Sequence, residues 1–378
     1  MTRWGKVALV AVAIIAAAGW FWLRRESSGA GVDAQSVRVA MNLPLTGPFG
    51  VYGQSIRDGA LLAVSELGEN GNNLRLDIED NAGATNTAIT VFQKQSLEKI
   101  DVYVSGVKPQ TMAIFDRATA AGFPYFVWVF DAFIVERNPT VFRTWVNYKY
   151  EAEKYLQYAR ARKAKHVAIA CVNLPHALEE FNDIVIPQLK KEGIDASIEI
   201  FDLDSRQHRD VILKLASGKP DLYILNGFQE DLVAFARALR TLNLFSDGNA
   251  IGTYDLLDAA KILGGSELEG FRVVAPEFIV QDTPAFRAWS GRFKQKYGRE
   301  PLYTDAYSYD MISVIADATR RLSAPATSSQ WLEAIRRTDA PGVTGRLRFD
   351  EGGDLVLALK VGVYRNGALA VDSSEAAQ

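Results

Sequence analysis

Residues 37–67 read VRVAMNLPLTGPFGVYGQSIRDGALLAVSEL, and this stretch decides the fold. Large apolar side chains occupy every second position from Val37 to Met41, which is the period of a β-strand. Pro44 ends this run because proline cannot donate a hydrogen bond to a neighbouring strand. A loop with Phe49 and Tyr52 follows, and apolar residues then recur at helical spacing. The stretch therefore predicts a strand–loop–helix unit, and open α/β sheets bind ligands beyond the carboxyl ends of such strands.

Short motifs along the rest of the chain point to one family. The opening stretch supplies PLTGP at 44–48, YG at 52–53 and R-x-G-x-x-x-A at 57–63. Later segments supply EDNAG at 79–83, FRT at 142–144, AYSYD at 306–310, GVTG at 342–345 and FD at 349–350. Together, and none of them alone, they resemble the periplasmic solute-binding proteins of the leucine/isoleucine/valine type over roughly residues 37–365.

The resemblance implies an α/β fold, the two-lobed type I periplasmic binding protein clamshell. Each lobe would be a mainly parallel sheet flanked by helices, and three crossings would join the lobes. The alternation of predicted strands and helices independently favours parallel sheets covered on both faces. We expect an N-terminal segment with a tether at 1–36, a first lobe at 37–146 plus 278–343, and a second lobe at 147–277 plus 344–374.

Composition excludes several classes of protein. With 378 residues, the chain has room for two lobes of about 100–200 residues each. Hydrophobic residues at 48% and charged residues at 23% are ordinary globular values and argue against disorder. A net charge of −3 argues against nucleic-acid binding, which needs a basic excess. The single cysteine, Cys171, excludes an intrachain disulfide and is expected to be an inert buried thiol.

The N-terminus indicates export. Arg3 and Lys6 precede an uninterrupted apolar run at residues 7–23, and two arginines follow it. The run is at the short end for a membrane-spanning helix and long for the apolar part of a signal peptide. We therefore favour an uncleaved inner-membrane anchor, with a cleaved signal peptide as the alternative. Both place the rest of the chain in the periplasm.

Candidate catalytic groups are few. The three histidines, His166, His176 and His208, have no nucleophile or acid at the spacing of a hydrolytic site. No cluster has metal-ligand spacing, and no P-loop or dinucleotide fingerprint occurs in the sequence. We therefore expect no enzymatic activity, no cofactor and no metal. Only His176, which follows a predicted strand, is expected in a cleft.

Side chains directly after strands, or beside the predicted crossings, are the candidates for ligand contact. There are fourteen of them: Phe49, Tyr52, Lys108, Gln110, Trp128, Phe130, Trp145, Asn173, His176, Phe228, Tyr254, Asp255, Glu277 and Tyr307. For Trp128 and Phe130, packing in the core is the alternative, because strand residues alternate between faces.

The resemblance also bears on the ligand. Amino-acid-binding members of the family use hydroxyl residues after the third and fourth strands for the ligand carboxylate, and an acid of the second lobe for its ammonium group. In this sequence the segment after the third strand reads Lys108-Pro109-Gln110, and the segment at the end of the fourth reads 128-WVFD-131. Asp255 is the candidate for the acid of the second lobe. An α-amino acid would therefore be left with unpaired charge. We predict a largely apolar ligand, an aromatic acid or a sterol- or hopanoid-like lipid, with Lys108 meeting its carboxylate or hydroxyl.

The predicted role is capture of this small molecule by a monomer that closes by hinge motion and delivers it to an inner-membrane transporter. One alternative is a receptor of an ABC importer for a branched-chain amino acid or amide. A second is a membrane-tethered sensor or scaffold subunit. An enzyme is the third, and it requires His176 or Asp255 to support turnover.

Overall fold

The computed structural model describes residues 36–67, 74–131, 134–202, 205–257, 260, 267–323 and 325–372. The predicted anchor at residues 7–23 and most of the tether lie outside these residues. Within them, no helix is both long enough and apolar enough to cross a membrane.

The strands of the described residues form three sheets. In chain order they are β1 (Val37–Leu43), β2 (Leu74–Asp80), β3 (Val102–Gly106), β4 (Tyr125–Trp128), β5 (Val141–Phe142), β6 (His166–Val172), β7 (Asp195–Phe201), β8 (Leu222–Leu225), β9 (Ala250–Gly252), β10 (Arg272–Pro276), β11 (Asp339–Pro341), β12 (Arg346–Arg348), β13 (Leu359–Arg365) and β14 (Ala368–Val371).

Helices alternate with most of these strands. They are α1 (Gly50–Leu67), α2 (Thr85–Gln95), α3 (Lys108–Ala120), α4 (Tyr148–Ala161), α5 (Pro175–Glu179), α6 (Ile186–Lys191), α7 (His208–Ala216), α8 (Gln229–Thr241), α9 (Glu277–Val280), α10 (Pro284–Tyr297), α11 (Tyr303–Arg321) and α12 (Ser328–Arg336). A π-helical segment, Glu180–Val185, joins α5 to α6, and a 3₁₀ turn covers Val135–Arg137.

Polar residues fix the starts of several helices. The Asn147 side chain accepts a hydrogen bond from the backbone N–H of Tyr150 at the start of α4, at 3.2 Å. Thr283 caps α10 in the same way. Such side chains satisfy backbone donors that have no partner inside the helix.

The first sheet has the order β2-β1-β3-β4-β5, and all its neighbouring strands are parallel. The second has the order β14-β13-β10-β9-β8-β6-β7 and is parallel from β10 to β7. β13 runs antiparallel to both β10 and β14, and β11 and β12 form a separate antiparallel pair. The predicted α/β class with mainly parallel sheets is confirmed.

After α9 the chain returns to the first sheet. One buried apolar cluster contains Val39 of β1 together with Trp289 of α10 and Ile312 of α11. α1 and α11 lie so close that the hydroxyl of Ser308 donates a hydrogen bond to the carbonyl oxygen of Ile56 at 2.6 Å. The three return helices therefore cover one face of the first sheet. The residue boundaries of the lobes stay a prediction.

Two elements differ from their sequence pattern. The apolar run from Phe123 to Phe130 predicts one strand, whereas β4 is shorter because its partner β3 ends at Gly106, opposite Trp128. The pattern also predicts a continuous helix over residues 178–192, whereas the structure divides this region into α5, the π-helical segment and α6.

Candidate ligand-binding site

A small cavity lies between the carboxyl ends of β6, β8 and β9 and the loop that follows β4. Its volume of about 30 Å³ holds about two water molecules and no organic ring. The residues that line it are Phe130, Tyr148, Glu151, Val172, His176, Glu180, Asn226, Gly227, Phe228, Thr253, Tyr254 and Asp255. The cavity thus lies where ligands of parallel α/β sheets bind, and side chains fill it almost completely.

Phe130 is the side chain that fills the cleft from the first sheet. Its ring is nearly parallel to that of His176, with centroids 5.4 Å apart, and to that of Tyr254 at 6.1 Å. The ring of Trp145 lies 5.7 Å away. Phe130 follows β4, whereas His176 and Tyr254 follow strands of the second sheet. The two sheets therefore meet through a stack of aromatic rings.

The wall of the second sheet is built from residues that end neighbouring strands. The backbone N–H of Asn226 donates to the carbonyl oxygen of Ala170 at 2.9 Å, which continues the pairing of β8 with β6. The N–H of Thr253 likewise donates to the carbonyl oxygen of Leu225 at 3.2 Å. These bonds fix the backbone at the positions from which Asn226, Phe228 and Thr253 reach the cavity.

Two glutamates with buried side chains form the floor. Glu151 lies in α4, and its carboxylate accepts a hydrogen bond from the hydroxyl of Tyr155 at 2.9 Å. Burial raises the pKa of Glu151 to about 8, and the negative charge of Asp255 adds to the shift. Burial also raises the pKa of Glu180, the first residue of the π-helical segment, with a further contribution from the charge of Glu151. Both glutamates therefore favour the protonated form near neutral pH.

The rim of the cavity carries a further ion pair. The ammonium group of Lys108 lies 2.5 Å from the carboxylate of Asp131. Burial lowers the pKa of His176, and the effects of Asp131 and Lys108 on it oppose each other. The hydroxyl of Tyr148 donates to Glu179 at 2.8 Å. Lys108, the cation predicted to meet the ligand, is therefore already paired with Asp131.

Five of the fourteen predicted residues line the cavity: Phe130, His176, Phe228, Tyr254 and Asp255. Lys108 stands beside it through its pair with Asp131. Trp128, Trp145 and Tyr307 are buried in the apolar cluster beneath the first sheet. The Trp128 ring packs on Trp145 with centroids 4.9 Å apart. The structure therefore places Trp128 in the core, which was the alternative to ligand contact.

The other predicted residues lie away from the cavity. Phe49 and Tyr52 are half-buried at the start of α1, and the amide of Gln110 donates to the carbonyl oxygen of Gly83. Asn173 is exposed and donates to Asp202 at 2.7 Å. Glu277 forms an ion pair with Lys360 at 3.7 Å.

Sequence reasoning missed seven lining residues: Tyr148, Glu151, Val172, Glu180, Asn226, Gly227 and Thr253. The strand-end rule that selects Phe228 and Tyr254 covers Asn226 and Thr253 as well, one or two positions earlier. Glu151 had a different signal. Glu151 shares a helical face with the buried Ala152 and Tyr155, and an acid on such a face is rarely solvated.

Among the described residues, no group of three or more His, Cys, Asp and Glu side chains is arranged to hold a metal ion. Cys171 lies in β6 and is buried, as expected for an inert thiol. Burial raises the pKa of its thiol to about 12, which keeps the sulfur protonated.

The fold and the position of the cavity define a ligand-binding clamshell, and the comparisons with known proteins agree. A family profile described as periplasmic binding protein matches residues 36–367, and the chain belongs to this family. Its members are solute-binding receptors, which implies a small-molecule ligand, an ABC transporter as partner and a periplasmic location.

Relatives with named ligands are similar over most of their length. The leucine-, isoleucine-, valine-, threonine- and alanine-binding protein of Pseudomonas aeruginosa is 24% identical over 356 residues, which cover 85% of this chain and 88% of the relative. A leucine-binding protein of Thermotoga maritima superimposes with a TM-score of 0.73 at 20% identity, over 89% of this chain and 97% of that one. The resemblance to the leucine/isoleucine/valine type and the two-lobed type I architecture are confirmed.

A third relative holds a different kind of ligand. The solute-binding protein of an ABC transporter from R. palustris, solved in complex with benzoate, superimposes with a TM-score of 0.74 at 18% identity. The match covers 89% of this chain and 95% of that one. Solved proteins of this fold therefore include both amino-acid and aromatic-acid receptors.

Proposed function

We propose that this protein is the substrate-binding subunit of an ABC importer for a small, ring-bearing and largely apolar solute. The observation that carries the proposal is the position of Phe130. Its ring stacks on those of His176 and Tyr254, with centroids 5.4 and 6.1 Å away. A flat ligand ring can make the same contacts when Phe130 withdraws. A single ring-sized space supports an aromatic solute over a sterol or hopanoid.

The surroundings of the cleft argue against the rival ligand, a branched-chain amino acid. A ligand carboxylate needs a cation or several donors, and Lys108 is already paired with Asp131 at 2.5 Å. The amide of Gln110 is bonded to Gly83 instead of facing the cavity. The relative that holds benzoate supports a ring-bearing ligand on this fold.

The mechanism follows from a cleft whose two walls come from different sheets. When the lobes separate, the ring of Phe130 leaves His176 and Tyr254, and the solute enters in its place. Contacts from both sides then stabilise the closed form, which the transporter of the inner membrane recognises. The receptor works as a monomer, and residues 7–23 tether it to the membrane.

The test uses uncharged benzamide and leucine as probes in calorimetric titrations. We expect benzamide to bind more tightly than leucine. Phe228→Ala should weaken benzamide binding by about 1 kcal/mol, since Phe228 lines the cavity. Phe245→Ala is the matched control, because Phe245 stacks on Phe271 at 4.2 Å and does not line the cavity. Tight leucine binding that Phe228→Ala leaves unchanged would refute the proposal.

A further inference from the structure

The floor of the cavity has an excess of acidic side chains. Three of its lining residues are acids, Glu151, Glu180 and Asp255, and none of the described lining residues is a lysine or an arginine. The side chains of Glu151 and Glu180 have relative exposures of 3% and 1%. A buried carboxylate is unfavourable without a cation or donors, so these acids stay protonated until a positive group reaches them.

Three buried oxygen atoms in the same place have no hydrogen-bond partner among the described residues. They are Oε1 of Glu180, Oδ1 of Asn226 and Oγ1 of Thr253. Each of these residues lines the cavity and is more than nine-tenths buried. Buried polar atoms in native proteins are normally bonded, so these acceptors indicate that a donor belonging to the ligand completes them.

We propose that Glu151, Glu180, Asn226 and Thr253 bind the protonated amino group of the ligand, and that its entry displaces a proton held by the two glutamates. The solute is then a ring-bearing amine without a carboxylate, such as an arylalkylamine. This inference rests on the proposed function, because it names the polar group of the solute for which that function supplies the ring site.

An ammonium group fits these observations better than other cations. It carries three N–H donors, which match three acceptors without partners. The aromatic rings of Tyr148, Phe228 and Tyr254 line the same cavity and attract an organic cation through their π faces. A metal ion is disfavoured, because no group of three acidic, histidine or cysteine side chains in the described residues has the arrangement to hold one.

Proton release follows from the charge balance. Burial keeps both glutamates protonated in the free protein, since the pKa value of each is raised. When R–NH₃⁺ arrives, one of these protons leaves to solvent and a carboxylate becomes available, so one cation replaces another. The other titratable groups that face the pair or the cavity are Tyr148 and Tyr155 of α4, His176 and Glu179 of α5, Cys171 of β6, Tyr254 and Asp255 after β9, and Lys108 with Asp131 at the rim.

The experiment is calorimetric titration of the full chain with benzylamine, benzamide and benzoate at pH 7, in phosphate and in Tris. The two buffers differ in ionisation enthalpy, so they report proton release. We expect benzylamine to bind at least 10-fold more tightly than benzamide, with release of up to one proton per ligand, and its affinity to rise from pH 6 to pH 8.

Variants locate the site. Glu151→Gln and Glu180→Gln should each reduce the preference for benzylamine over benzamide at least 10-fold and abolish proton release. A cooperative thermal transition in buffer alone shows that they fold. Glu153→Gln is the control, because Glu153 is an exposed acid of the same helix and should leave binding unchanged.

The outcomes separate the two proposals. Tighter binding of benzoate or benzamide than of benzylamine, or benzylamine binding without proton release, overturns the amine site and leaves the ring-binding function standing. Binding of leucine without any ring compound overturns both. Calcium chloride that alone shifts the melting temperature and releases a proton would overturn the assignment to an amine.

Discussion

Two glycines of the opening stretch explain why its motif has so little freedom. A Cβ on Gly53 would lie 2.1 Å from the carbonyl oxygen of Pro44, and one on Gly59 would lie 2.1 Å from that of Asp305. The first contact holds the PLTGP loop against α1. The second holds α1 against α11, just before the AYSYD motif. The motifs therefore require glycine at positions 53 and 59, because the backbone packs too closely there for a side chain.

Gly59→Ala is expected to destabilise the fold, because the new methyl group meets backbone that cannot move aside. We expect the free energy of unfolding to fall by about 1–3 kcal/mol, measured by urea denaturation. Gly291→Ala is the control. Gly291 lies in α10 with no atom within 4 Å of the added methyl group, so that substitution should be neutral or raise the free energy of unfolding by about 0.5–1 kcal/mol. Equal losses in both variants would contradict this account.

Glu151 couples stability to pH. Its pKa is about 8 in the folded protein and about 4.3 in an unfolded chain. Below pH 4 both states hold the proton. As the pH rises towards 8, the unfolded state loses its proton first, so the contribution of Glu151 to stability decreases and then levels off.

We therefore expect wild-type protein to lose on the order of 2–4 kcal/mol of unfolding free energy between pH 5 and 8, relative to Glu151→Gln. Glutamine keeps an acceptor for the Tyr155 hydroxyl, which isolates the effect of the charge. The measurement is urea denaturation of both proteins across this range. Parallel stability curves would show that Glu151 is ionised in the folded protein.

At the scale of elements, the sequence predicts what local patterns determine. β6 runs from His166 to Val172 in the structure as in its sequence pattern, because seven residues without proline or glycine precede a polar turn. The π-helical segment has no such pattern. It turns Glu180 and Phe181 into the interior, with relative exposures of 1% and 0%, and π-turns of this kind are frequent at functional sites. Because the apolar residues keep a regular helical spacing here, the sequence reveals neither the π-helical segment nor the burial of Glu180.

Strand order explains why Phe49 and Tyr52 lie away from the cavity. Phe49 and Tyr52 follow β1, whereas the cavity is reached from the loop after β4. In the first sheet β3 lies between these two strands, so β1 is about 10 Å from β4. The chain order of strands reveals that residues lie at the same edge of a sheet, but not how far apart they are along it.

At the scale of the molecule, a buried ion pair connects the predicted crossings to the cleft. Arg143 is fully buried, and its guanidinium Nε lies 2.6 Å from Oδ1 of Asp354. The same guanidinium donates to the carbonyl oxygens of Val129 and Asp131, at 2.8 and 2.5 Å. These two residues flank Phe130. Arg143 therefore holds the loop that carries Phe130 to Asp354, which lies in the predicted second lobe.

Asp354→Asn should be strongly destabilising, because it leaves the charge of Arg143 buried without a counter-ion. We expect a loss of about 3–5 kcal/mol in the free energy of unfolding. Asp339→Asn is the control, since Asp339 pairs with Arg346 on the surface, at 2.5 Å, and should show no measurable change. Urea denaturation of both variants tests the difference, and a stable Asp354→Asn protein would mean that the pair does not hold the molecule together.

The closed aromatic stack has a consequence for sensitivity. In the proposed mechanism Phe130 is an internal competitor that is covalently attached to the receptor, and groups tethered in this way act at effective concentrations on the order of millimolar. A solute reaches the cleft only if it outcompetes this ring, so position 130 sets the concentration threshold at which the receptor responds. A smaller residue there would lower the threshold and admit a broader range of solutes.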